Sequence, residues 1–190
     1  MPLTICFDAG HGNWNKNPGQ YDPGFVFTQG KDRFEEATIA LAYVNKIRDI
    51  LRAAGHTVIR TRRDAIDPAP VSRRDDIARA YKCDRMVSIH CNAANTRATG
   101  TEVFYRGADD RPIAAKLSAL VANAFGIKDR GAKTEKQSQH KSLAVLEFDK
   151  CWLIELGFLD NPTDRAALLD PGRMSAACHA IAKVITSVTD

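Results

Sequence analysis

Four residues able to bind metal or move protons break the pattern of the segments that carry them: His11, Glu36, His90 and Glu155. His11 follows the apolar run from Leu3 to Asp8, between Gly10 and Gly12, which let the backbone turn tightly. Glu36 extends the helical stripe Leu51, Ile47, Val44 and Ala40 by one turn toward the N-terminus. A carboxylate on that inward face is costly without a cation or hydrogen-bond donors. Glu35 lies about 100° around the helix. The helix dipole favours either glutamate in a first turn, so the stripe alone separates them. His90 belongs to Met86-Val87-Ser88-Ile89-His90-Cys91-Asn92, where strand alternation groups Ser88, His90 and Asn92 on one face. Cys91 then points the other way, which disfavours a Cys91–His90 dyad. Glu155 is the lone acid in Cys151-Trp152-Leu153-Ile154-Glu155-Leu156-Gly157-Phe158, where burial raises its pKa.

Each residue also has a purely structural reading. His11 could be a surface loop histidine, Glu36 a first-turn acid, His90 a satisfied core histidine, and Glu155 the partner of a buried arginine. Jointly they say hydrolase. Two histidines and a carboxylate are a common ligand set for catalytic zinc, and a second carboxylate can serve as general base. No His-Glu-x-x-His pattern occurs, which excludes that class of metalloprotease.

Positioning four residues so far apart requires a sheet. The pattern predicts strands at Leu3–Asp8, Thr57–Thr61, Met86–Cys91, Thr101–Tyr105, Leu143–Leu146 and Cys151–Leu156. It predicts helices at Arg33–Ala54, Pro70–Tyr81 and Asp109–Phe125, and two more after Asn161-Pro162 and Asp170-Pro171, where a capping side chain precedes proline. Gly10 to Lys31, rich in Gly, Asn, Pro and Asp, reads as a long loop. This alternation predicts an α/β fold: one domain over residues 1–190, a twisted, mostly parallel sheet with helices on both faces. Ligand sites in such folds gather at the carboxyl ends of the strands.

At 190 residues the chain can bury a substantial core. No apolar stretch approaches the roughly 20 residues of a membrane span, so no membrane insertion is expected. The N-terminus lacks a basic region and cleavage site, so no signal peptide is expected and synthesis is placed in a cytoplasm. The five cysteines lack a Cys-x-x-Cys pair and read as buried free thiols. The net charge of +4 is a mild bias toward anionic partners. Arg60, Arg62, Arg63, Arg73, Arg74, Arg79 and Arg85 are interleaved with Asp64, Asp67, Asp75, Asp76 and Asp84. That mixture reads as a solvated, salt-bridged surface rather than a nucleic-acid site.

Several segments, taken in order, resemble one family. Ile5-Cys6-Phe7-Asp8-Ala9-Gly10-His11-Gly12, the glutamate-led helix from Glu36, Thr61-Arg62, Arg74 ahead of Ile77-Ala78, Ser88-Ile89-His90-Cys91-Asn92-Ala93, and Ile154-Glu155-Leu156-Gly157-Phe158-Leu159-Asp160-Asn161 are similar to motifs of the zinc-dependent N-acetylmuramoyl-L-alanine amidases of the amidase 3 family. Ala9 stands where that family usually has proline. The resemblance implies zinc as cofactor, His11, Glu36 and His90 as its ligands, Glu155 as catalytic acid/base, and bacterial peptidoglycan as substrate. Ser88 and Asn92 would orient ligands or substrate, or bond in a supporting shell. The segment after Tyr105 runs directly into the next helix, leaving no room for the autoinhibitory helix of some cell-division members, so no activator protein is expected. A compact domain without wall-binding repeats resembles a phage or prophage endolysin that reaches the wall after membrane breach. The rival readings are another zinc hydrolase of peptidoglycan, a peptidase or deacetylase, and a non-catalytic wall-binding domain.

Overall fold

The computed structural model describes residues 1–188. Strands β1 (Thr4–Ala9), β6 (Thr57–Arg60), β7 (Arg85–Asn92), β8 (Thr101–Tyr105), β9 (Asp129–Thr134) and β10 (Cys151–Phe158) form one sheet in the order β6-β1-β7-β10-β8-β9. The first four run parallel; β8 is antiparallel to β10 and parallel to β9. The expected α/β sheet is therefore present, mostly parallel.

Helices α1 (Glu36–Ala53), α3 (Arg111–Phe125) and α5 (Pro171–Thr186) cover one face. Their apolar stripes, including Tyr43, Val44, Leu117, Val121, Ile181 and Ile185, pack on Ile5, Phe7, Val87, Ile89 and Ile154. Each such fully buried side chain contributes roughly 1.5–3 kcal/mol relative to exposure. The other face is thinly covered. Ala78 of α2 (Arg74–Ala80) joins Val145 and Leu146 of a 3-10 turn over Cys6, Met86, Cys151 and Leu153. Beyond that patch, toward the carboxyl ends of β7 and β10, the second face lies open as a cleft. Helix α4 (Pro162–Leu169) follows β10, with Asn161 accepting from Thr163 N and Asp164 N as the expected cap.

Three expectations need correction. Leu143–Leu146 is not a strand: Ala144–Glu147 is the 3-10 turn just described. Four apolar residues do not distinguish a strand from a buried turn. Strand β9 was not expected, because Asp-Arg-Gly-Ala-Lys-Thr carries neither an apolar nor a β-branched run; it is a charged edge strand. The long loop holds structure. β2 (Gly12–Asn13) pairs with β3 (Tyr21–Asp22), and β4 (Val26–Gln29) forms a hairpin with β5 (Asp32–Glu35). Phe27 stacks on Phe34 across that hairpin, so α1 starts at Glu36 rather than Arg33.

The interleaved arginines also differ from expectation. Arg62, Arg74 and Arg85 are almost wholly buried. Only pairs such as Arg63–Asp67 and Arg73–Asp76 are the surface bridges foreseen. Among the described residues, no helix is long and apolar enough to cross a membrane, and all five cysteines are buried free thiols.

Candidate metal centre and cleft

The carboxyl end of β1 delivers His11, that of β7 delivers His90, and the first residue of α1 delivers Glu36. His11 Nε2 lies 3.1 Å from Glu36 Oε2, and His90 Nδ1 lies 3.0 Å from Glu36 Oε1. One ligand atom from each of the three residues falls within 4.8 Å of the others, the reach of a single ion.

Local sequence explains this convergence. His11 takes a left-handed conformation, φ 59°, at the turn after β1. A Cβ at Gly10 would lie 2.3 Å from His90 Cε1, so only glycine leaves room for that ring. A Cβ at Gly24 would lie 2.6 Å from Glu36 Oε2 and 2.7 Å from His11 Cδ2. Backbone donors then fix the carboxylate: Cys91 N donates to Glu36 Oε1 and Phe25 N to Oε2, each at 3.0 Å. Burial alone would raise the Glu36 pKa. Hydrogen bonds and charge from His11 and His90 outweigh it and hold the carboxyl well below its ordinary range.

Asp22 was not foreseen. Its Oδ2 lies 3.1 Å from His11 Nδ1 and accepts from Asn15 Nδ2, while Oδ1 accepts from Gly24 N. With Nδ1–H donating to this carboxylate, the His11 Nε2 lone pair is left free, the arrangement that carboxylate partners give to histidines that bind metals. Burial alone would depress the His11 pKa, but Glu36 and Asp22 outweigh it and leave the imidazole above its ordinary range. The signal was hidden in a segment without periodicity.

Two buried arginines hold the turn under His11. Arg62 donates to Ala9 O, Gly10 O and Ala37 O, so it joins the turn to α1. Arg74 donates to Asp8 Oδ1, Ala9 O and His11 O. Ser88 Oγ donates to Asp8 Oδ2 and is fully buried. Asn92 Nδ2 donates to Glu102 Oε1. Both share the His90 face, as alternation required, and each serves a neighbouring carboxylate.

Glu155 pairs with His90 of β7 on one side and Glu102 of β8 on the other. Its Oε2 is sealed from solvent and has no hydrogen-bond partner, while the residue as a whole still borders the cleft. Burial pushes its carboxyl well above the ordinary range, and the charges of Glu36 and Glu102 add to that. The cleft measures about 470 Å³ and runs from His11, Glu36 and His90 past Glu155 to Glu102, Arg130, Lys133 and His140.

Residues 5–187 match the N-acetylmuramoyl-L-alanine amidase family. The chain belongs to that family. An uncharacterized protein YqiI of Bacillus subtilis is 29% identical over 98% of this chain and 85% of its own length. An uncharacterized cell wall amidase of Bacillus anthracis is 30% identical over 94% of this chain, which spans about a third (34%) of that relative. The catalytic domain of CwlV, an N-acetylmuramoyl-L-alanine amidase from Bacillus (Paenibacillus) polymyxa var. colistinus, superposes with a TM-score of 0.82 at 28% identity, covering 98% of this chain and 97% of that one.

Proposed function

We infer that this chain is the catalytic domain of a zinc-dependent peptidoglycan amidase. It would hydrolyse the amide between the lactyl group of N-acetylmuramic acid and L-alanine, with His11, Glu36 and His90 holding zinc and Glu155 as acid/base. One observation carries this beyond family membership: three ligand atoms of types suited to zinc converge beside Glu155, whose Oε2 is buried without a hydrogen-bond partner. The fit to a zinc ion rests on that donor set and on Asp22 orienting His11.

When bound, the ion supplies Lewis-acid charge for the scissile carbonyl and acidifies water. The rest falls to the protein. Glu155 takes the proton of the attacking water at its carboxylate. Its raised affinity for protons suits it to take that proton, which it would then hand to the departing amine of L-alanine. The His11 ring is set by Asp22 and the His90 ring by the space at Gly10.

Residues 106–110 lead from β8 to α3 through one short 3-10 turn, which supports action without an activator protein. The endolysin reading, in which the enzyme reaches the wall after membrane breach, is part of the same proposal. Cultures expressing the protein should then clear only after the membrane is permeabilised.

The deciding experiment incubates purified peptidoglycan with the protein, with chelator and after zinc is restored, and identifies the new chemical ends. New L-alanine amino termini that vanish with chelator and return with zinc support the amidase. Ends elsewhere in the stem peptide point to a peptidase, and freed acetate to a deacetylase. No new ends from folded, zinc-loaded protein indicate a wall-binding role.

A further inference from the structure

The far end of the cleft carries an unbalanced cluster of charge. Glu102 is 5% exposed, and its Oε1 is occupied by Asn92 Nδ2. Its Oε2 meets two cations, Arg130 Nε and, at 2.5 Å, Lys133 Nζ. One carboxylate thus faces two positive side chains. Arg130 is further fixed over the Phe158 ring, 4.9 Å from its centroid, so it suffices as the standing partner of Glu102. Lys133 is the surplus charge. Its side chain keeps 23% exposure at the cleft wall. Ser138 Oγ in the same wall has no hydrogen-bond partner.

We propose that Lys133 binds a carboxylate on the peptide side of the scissile amide, one residue beyond the alanine. This rests on the amidase reading above. The muramic carboxyl is consumed in the amide being cut, so the anion must come from the peptide. Glu155, which serves the leaving amine, lies directly opposite Glu102 on the adjacent strand. Lys133 lies two strands from Glu155, in register with Phe104, and its ammonium reaches back to Glu102 Oε2, so it sits roughly 5–10 Å beyond Glu155, the reach of about two extended residues. The ligand is an acidic stem peptide.

The test uses a matched pair of N-acetylmuramoyl-L-alanyl peptides. Their second residue carries a free carboxylate in one and a carboxamide in the other. Binding is measured by calorimetry to the Glu155→Gln protein with zinc present, so that no turnover interferes. The carboxylate probe is expected to bind about tenfold tighter, the lower range of a charge-assisted contact that solvent still reaches. Lys133→Gln should erase the preference and Lys133→Arg should keep most of it. Arg130 still neutralises Glu102 in both, so neither strands a buried charge. Equal binding of the two probes, or a preference surviving in Lys133→Gln, overturns the proposal. Hydrolysis of both probes by the parent protein is scored separately. Cleavage without discrimination leaves the amidase standing and removes the subsite; discrimination in binding without cleavage does the reverse.

Discussion

Arg74 Nη1 lies 2.8 Å from Asp8 Oδ1, and both side chains are withdrawn from solvent. The same guanidinium donates through Nη2 to His11 O, so one buried ion pair ties the end of β1 to α2 directly beneath a proposed ligand. Thr61 and Ser88 hydroxyls donate to the same carboxylate. Burial would raise the Asp8 pKa, but Arg74, His90 and those hydroxyls outweigh it and keep the group below its ordinary range. Removing one member of a buried pair strands the other and costs about 3–5 kcal/mol. Arg74→Met is expected to lose that much by chemical denaturation and to bind zinc less than stoichiometrically. Arg74→Lys, which cannot reach so many acceptors, should recover only part. Parent-like stability in Arg74→Met would show that the pair does not support the turn.

Glu155→Gln isolates the proton-moving step. The substitution keeps shape and removes the acid, so turnover of peptidoglycan should fall by about 10²–10⁴-fold. Zinc content should be unchanged, because His11, Glu36 and His90 converge without it. Stability gives an independent reading. The Glu155 pKa is raised, so its ionisation penalises the folded state as pH climbs above the ordinary value of 4.5. The variant lacks that penalty and should be at least as stable as the parent at neutral pH. Zinc loss, or undiminished turnover, would move Glu155 to another role.

Asp22 is expected to act on metal affinity alone. Asp22→Asn leaves the three ligands in place but weakens the hold on the His11 ring. Such partners of metal-binding histidines are worth roughly 10–100-fold in affinity, and zinc titration against a competing chelator reads this directly. His11→Ala and His90→Ala should abolish both binding and activity. Stoichiometric zinc in either would mean that the ligands are misassigned.

How much of this was legible in sequence depended on whether a residue contradicted its neighbours. Glu36 on an apolar stripe and Glu155 in an apolar strand stand out, because burying a carboxylate is costly and needs a reason. Their meeting with His11 and His90 followed once each was placed at a strand end or helix start. Asp22 gave no such signal, because an aspartate among Gly, Asn and Pro is what any loop contains. Lys133 sits on an edge strand without a strand pattern of its own, and its meeting with Glu102 of the neighbouring strand exists only in the folded chain. Arg62 and Arg74 looked like solvated charges because counting signs along a chain says nothing of depth. Their burial depends on backbone carbonyls of the β1 turn that only the folded chain presents.

The metal-free protein should have a stability maximum that zinc shifts toward alkaline pH. The His11 pKa is raised above its unfolded value of 6.5. Its contribution is therefore fully present below 6.5 and is lost as pH rises through the raised folded value. Glu36 is depressed from 4.5, so its contribution is present above that pH and is lost as pH falls through the lower folded value. From this pair, the metal-free maximum lies between the two unfolded values. Zinc held by the proposed ligands would require the neutral imidazole and so displace the proton from His11. Its stabilisation should thus grow with pH through the raised His11 value, where the metal-free protein weakens. Denaturation curves at about pH 5.5 and about pH 8.5, with chelator and with excess zinc, measure both trends. If zinc stabilises the protein equally at both pH values, no proton is being displaced and His11 is not a ligand.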